Sequence, residues 1–138
     1  MLDLSNFERA LKSYERAIRF SKERLDDDIS ETEKNVIKAG VIQNFEFTYE
    51  LCWKFMKRWL ELNLTPGLLD GKSRKELFRH ALENKLIRSF EDWVTYHELR
   101  NSTSHTYNED IAEEIYTVAE AFLNDAKILY QAIEAKND

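Results

Sequence analysis

Three glycines and one proline in 138 residues are too few to punctuate a fold of many short strands. Their scarcity argues against an all-β architecture and favours long helices. The single cysteine, Cys52, excludes an internal disulfide and a cysteine-based zinc site. It falls in an apolar stripe and reads as an inert core thiol. No uncharged apolar run approaches the ~20 residues of a membrane span. No apolar segment follows the first cation, Arg9, as it would in a secretory signal. The expected setting is therefore cytoplasmic, with no membrane contact. The three histidines, His80, His97 and His105, lack metal-ligand spacing and have no Asp-x-Asp pair beside them, so neither metal nor cofactor is expected. The net charge of −6 disfavours wholesale wrapping around nucleic acid but is compatible with a small local site.

What is present suits one domain spanning residues 1–138, with 43% apolar and 12% aromatic residues to fill a core and 33% charged residues to solvate its surface. Five helical segments emerge. The first runs from Leu4 to Leu25, with Phe7, Leu11, Tyr14, Ile18 and Leu25 at helical spacing. Ser5 and Glu8 have the spacing of a capping box, and Asp26-Asp27-Asp28 sit at the end the helix dipole disfavours for acids, where the helix should stop. The second, from Glu31 to Leu62, carries two adjacent stripes. Val41, Phe45, Thr48, Cys52, Phe55, Trp59 and Leu62 form one; Ile42, Glu46, Tyr49, Trp53, Met56 and Leu60 form the other. So wide a face predicts a central helix touching several others, with Trp53 and Trp59 in the core. Glu46 interrupts the second stripe. It is either a carboxylate reaching solvent at the bundle edge or the buried partner of a cation such as Arg100.

A loop around Pro66-Gly67 follows. The third segment, Ser73 to Leu86, has a Ser73/Glu76 cap pair and Leu77, Ala81 and Leu82. The fourth begins at Ser89 with Asp92 and passes through Trp93, Tyr96, His97 and Arg100. The fifth starts near Glu109 and carries Ile111, Ile115, Val118, Phe122, Leu129 and Ile133. From Lys72 to Arg88 six Lys/Arg face two Glu, whereas from Asn108 to Asp138 eight acids face two Lys. The basic segment is either a solvated helix face or a contact for phosphates or an acidic partner. The expected fold is all-α, an antiparallel bundle of about five helices of the up-and-down four-helix type.

The chemistry concentrates in Arg100-Asn101-Ser102-Thr103-Ser104-His105-Thr106-Tyr107, at the junction of the last two segments. Arg grips phosphate oxygens with a planar fork and stabilises charge as it develops. His titrates near neutrality and can move a proton to or from a ribose or leaving oxygen. On one continuous helix the two would point ~140° apart. They can face one cleft only if the helix ends between them or a second subunit supplies the other wall. Asn101 to Ser104 make a poor helix interior, which favours an end there. A polar helix cap with a structural histidine is the alternative.

Arg100-Asn101-x-x-x-His105-x-Tyr107 resembles the Arg-x4-His-x-Tyr motif of HEPN-domain toxins, the partners of minimal nucleotidyltransferases. Phe45-Glu46-Phe47-Thr48-Tyr49-Glu50-Leu51-Cys52-Trp53-Lys54 resembles the Phe-Glu-aromatic-x-x-Glu-x-x-Trp-Lys signature of the subgroup labelled nucleotidyltransferase substrate-binding proteins. The resemblance extends over Leu4 to Ile133. It implies a homodimer whose motifs share a cleft, and metal-independent endoribonuclease activity on RNA with Arg100 and His105 as the catalytic pair. Asn101, Ser104, Tyr107, Glu46 and His97 would support them. It also implies a small nucleotidyltransferase antitoxin that neutralises the toxin, in related pairs by transferring AMP to the motif tyrosine, here Tyr107. The older label implies instead a non-catalytic subunit that presents nucleotide or substrate to the transferase.

Overall fold

In a computed structural model, which describes residues 1–103 and 109–137, the chain folds into five helices. These are α1 (Ser5–Arg24), α2 (Glu31–Asn63), α3 (Arg74–Glu83), α4 (Phe90–Thr103) and α5 (Glu109–Ala135). No strand occurs among the described residues. The all-α bundle expected from the periodicity is what forms.

Local chemistry explains where the helices start. Ser30 Oγ accepts the backbone N–H of Glu33 at 3.1 Å, Ser73 Oγ that of Glu76 at 3.2 Å, and Ser89 Oγ that of Asp92 at 3.2 Å. Each satisfies a donor that the first turn leaves without an intrahelical partner. The first helix departs from the expected cap. Ser5 is already helical, and Asp3 Oδ1 accepts both its N–H (3.0 Å) and its hydroxyl (2.7 Å). Asp outcompetes Ser because its charged oxygen is the stronger acceptor beside helix N–H dipoles. Glu8 is left to pair with Lys12 at 2.9 Å.

The third helix also stops earlier than its pattern suggests, at Glu83. Lys85 adopts φ +62°, and the N–H groups of Leu86 and Lys85 bond back to the carbonyls of Ala81 and Leu82 at 2.9 and 3.1 Å. This double closure ends a helix and swings the next residue inward. Leu86 is accordingly fully buried without being helical.

Packing centres on α2, which touches all four other helices. Its two stripes bury Val41, Phe45, Thr48, Cys52, Phe55 and Trp59 along one line and Tyr49, Met56 and Leu60 along the next. Leu62 extends the first stripe in sequence but is 60% exposed. It borders a surface groove with Leu2 and Pro66, beyond the point where α1 begins. Leu82 is likewise exposed, because Leu77, Phe78 and Ala81 form the buried side of α3.

Phe122 of α5 is the ring on which the helices converge. Its centroid lies 4.9 Å from those of Phe45 and Tyr96, 5.7 Å from Tyr14 and 5.8 Å from Trp93. The hydroxyl of Tyr14 donates to the carbonyl of Ala119 at 2.8 Å, tying α1 to α5 where the small side chain lets the backbones approach. At the surface, α5's acids meet cations from the rest of the chain: Glu113 binds Lys38 and Glu120 binds Lys22, both at 2.6 Å.

Candidate functional site

Glu46 and Glu50 are four residues apart on α2, so their carboxylates share one side of the helix, beside its apolar stripes. Two anions there call for a cation, and α4 supplies Arg100. Its guanidinium lies 3.4 Å from Glu46 Oε2 and 3.6 Å from Glu50 Oε1. The side chains are 24%, 30% and 35% exposed respectively, half-buried, so water screens the pairs only in part. Both distances exceed the ~2.7–2.9 Å of a tight charge-assisted hydrogen bond. The carboxylates therefore aim Arg100 without saturating its donors.

Of the two sequence-based readings of Glu46, the structure takes the pairing from one and the partial exposure from the other: the carboxylate pairs with Arg100 while only half-buried. Its Oε2 also lies 3.2 Å from Thr103 Oγ1, whose hydroxyl is 2.8 Å from the carbonyl of Arg100. Ser102 Oγ donates to the carbonyl of Glu98 at 2.9 Å. The hydroxyls of this tract thus turn back onto the last turn of α4, as their competition for backbone groups predicts. Gln43, Asn44, Glu46, Phe47, Glu50 and Arg100 line an open cleft of about 570 Å³. Phe47, 60% exposed, stands on its rim.

His97 lies one turn before Arg100 and faces α2 rather than the Arg100 cleft. Its Nδ1 is 2.7 Å from the Tyr49 hydroxyl and its Nε2 is 3.2 Å from the Asn101 side-chain nitrogen. Asn101 thus orients the imidazole of His97. With the amide donating to Nε2, the neutral ring carries its proton on Nδ1 and gives it to Tyr49. Burial, and then the nearby charge of Arg74, holds the His97 pKa below its ordinary value.

The folded state therefore binds fewer protons than the unfolded chain as pH falls below ~6.5. The stability owed to neutral His97 is present above that pH and is lost as pH drops toward the lowered folded value. Urea midpoints measured between neutral pH and pH 5 should fall with acidification. The His97→Asn variant should show a smaller fall over the same window; an identical fall would remove His97 from the effect.

The expected roles of Ser104, His105 and Tyr107 lie outside the described residues. Among the described residues, no three His, Cys, Asp or Glu side chains converge as a metal-binding group, and no helix is long and apolar enough to cross a membrane.

Sequence reasoning missed three neighbours. Trp53, expected in the core, is half-buried. Its indole N–H donates to Glu50 Oε2 at 3.0 Å, and the Arg74 guanidinium lies 3.6 Å from its ring centroid. Glu50 bridges this stack to Arg100. The detectable signal was the Glu46/Glu50 pair, two acids one turn apart beside the apolar stripes of α2.

Residues 2–135 match the family model described as "Nucleotidyltransferase substrate binding protein like". Over 105 residues the chain is 35% identical to a Haemophilus influenzae protein named "Probable ribonuclease HepT", covering 75% of this chain and 72% of that relative. A solved Haemophilus influenzae structure, described as the fold of a substrate binding domain of a nucleotidyltransferase, is similar with a TM-score of 0.87 and 31% identity, covering 96% of this chain and 99% of that one. A Thermus thermophilus crystal structure is similar with a TM-score of 0.58 and 28% identity, covering 91% of this chain and 99% of that one. Sequence over nearly the full length and the helical fold agree, and the chain belongs to the nucleotidyltransferase substrate-binding-protein-like family, the HEPN subgroup its motifs resemble.

Proposed function

We propose that this protein is the toxin of a HEPN/nucleotidyltransferase toxin–antitoxin pair, a cytoplasmic, metal-independent endoribonuclease whose site combines Arg100 and His105 in a cleft shared by two copies. The observation that carries the reading is the posture of Arg100, held half-buried in an open cleft by two carboxylates that leave its donors unsaturated. A guanidinium so placed can take a phosphodiester's oxygens as charge builds on them. The ribonuclease name of the 35% identical relative supports the same reading.

In this chemistry an imidazole of His105 accepts the proton of a ribose 2′-hydroxyl, and that oxygen attacks the adjacent phosphorus. The bond to the 5′-oxygen breaks. That oxygen receives a proton from a protonated imidazole, the other copy's His105 in the shared cleft. The products are a 2′,3′-cyclic phosphate and a 5′-hydroxyl, and no outside oxidant or reductant is required. General acid–base help of this kind contributes roughly 10²–10⁴-fold. Phe47, exposed beside the cleft, supplies an apolar surface for the second copy. The partner nucleotidyltransferase would silence the site by transferring AMP to Tyr107, placing a phosphate where it competes with RNA for Arg100.

The test is cleavage of single-stranded RNA in excess EDTA by protein freed of its partner and of adenylyl groups. We expect cyclic-phosphate ends, and their loss in His105→Ala at an unchanged melting temperature. Intact RNA after incubation with folded wild-type protein would sink the proposal. A second reading, a non-catalytic substrate-presenting subunit, is favoured by the family's description and by the substrate-binding role ascribed to the 31% identical structure. It expects harmless expression of the protein alone, and binding to the nucleotidyltransferase that raises transfer activity without any RNA being cut.

A further inference from the structure

The cleft around Arg100 has a charge problem if its ligand is RNA. Glu46 and Glu50 outnumber the one guanidinium they flank, so the described wall is net negative and a polyanion needs a further cation nearby. Arg74 is that cation. As the first residue of α3 it reaches across to α2, where its guanidinium lies 3.6 Å from the Trp53 ring centroid. Among the described residues no carboxylate stands within ion-pair distance of it, whereas its neighbour Lys72 pairs with Glu76 and Lys57 pairs with Glu61.

A cation held by a ring face keeps its charge, and the ring takes none of the donors on its edge; the Tyr49 hydroxyl beside Arg74 engages part of that edge and leaves the rest for a ligand. The ring itself is fixed, since Glu50 accepts its indole N–H at 3.0 Å while pairing with Arg100 at 3.6 Å. Lys54 adds a second charge 5.7 Å from the same ring. Arg74 and Arg100 are thus two half-buried guanidinium groups linked through Trp53 and Glu50, in a protein of net charge −6.

We infer that the Arg74–Trp53 stack is a second phosphate subsite, which holds the phosphate next to the scissile one and sets how single-stranded RNA lies across the cleft. This rests on the ribonuclease reading. It adds a positioning residue, contributed by a helix that carries none of the Arg-x4-His-x-Tyr motif. Arg74 touches the strand, not the reacting bond, so it governs affinity and salt dependence ahead of the chemical step.

The test uses full-length His105→Ala protein, which binds without cutting, and a short fluorescein-labelled oligouridylate followed by fluorescence anisotropy over a salt series. Arg74→Met keeps an unbranched chain over the indole and removes the charge. It should weaken binding roughly tenfold and reduce the salt slope by about one, the signature of one lost phosphate contact. Arg74→Lys should keep the slope and still lose several-fold in affinity, because a lysine cannot offer the stacked planar fork. In the cleaving protein, both changes should raise KM more than they lower kcat.

Unchanged affinity and slope in Arg74→Met, with RNA still bound by the parent, would overturn the subsite and leave the ribonuclease reading standing. Full affinity in Arg74→Lys would overturn the role of the stack. A parent that binds no RNA at all would remove the ribonuclease reading and this inference together.

Discussion

Arg100→Ala is expected to lower RNA cleavage by about 10²–10³-fold, the usual loss when one preorganised donor to a developing oxyanion is removed. The same substitution has a structural consequence. Arg100 sits between Glu46 and Glu50 at 3.4 and 3.6 Å. Each pair has a gross attraction of about 4 kcal/mol at the effective dielectric of a protein surface, most of it offset by desolvation. Without the guanidinium, two half-buried carboxylates one helical turn apart repel each other, at a cost on the order of 1–3 kcal/mol.

Activity and stability must therefore be separated. Adding Glu46→Gln to Arg100→Ala relieves the repulsion and should recover much of the melting temperature while recovering no cleavage. Arg100→Lys should retain most of the stability and little of the activity, because an ammonium cannot offer two parallel donors to one phosphate. Cleavage at the wild-type rate in the stabilised double variant would refute the assignment of Arg100.

Phe122→Ala should cost about 3–5 kcal/mol, the range for truncating a buried aromatic in a core that cannot close around the gap. Phe122 has no exposed surface, and its ring contacts those of Tyr14, Phe45, Trp93 and Tyr96. Removing it takes one partner from residues on α1, α2 and α4 together, and a rigid polar link such as the Tyr14 hydroxyl to Ala119 resists collapse into the space. Against a typical total of 5–15 kcal/mol, that loss endangers the fold itself. Urea unfolding is the measurement. Phe122→Leu, which refills part of the volume, should lie well above Phe122→Ala, and equal midpoints for the two would argue that the core relaxes freely. The fold is thus most sensitive at one ring of α5, whereas the proposed chemistry is most sensitive at one guanidinium of α4.

The helices were legible in the sequence because the signals that make them are local. A stripe such as Phe7, Leu11, Tyr14 and Ile18 repeats at the helical period, and Ser73 and Ser89 stand one turn before the N–H groups they cap. The two stripes of α2 announced a helix with several neighbours, and it has four. Local competition also explains the departures. Asp3 displaced Ser5 as the acceptor at the start of α1, and a left-handed Lys85 ended α3 before its apolar pattern did.

The candidate site was legible only in its motif. Arg100 could be singled out by its chemistry, and Glu46 by its misfit in an apolar stripe. That the two meet, that Glu50 joins them, that His97 turns to Tyr49 and that Arg74 lies on Trp53 depend on which helices pack together and how far each is rotated. Helical periodicity tells a residue which side of its own helix it occupies. It carries no information about which residue faces it across an interface, because those pairs lie 21 to 54 positions apart in the chain and are set by the fit of whole apolar faces around Phe122.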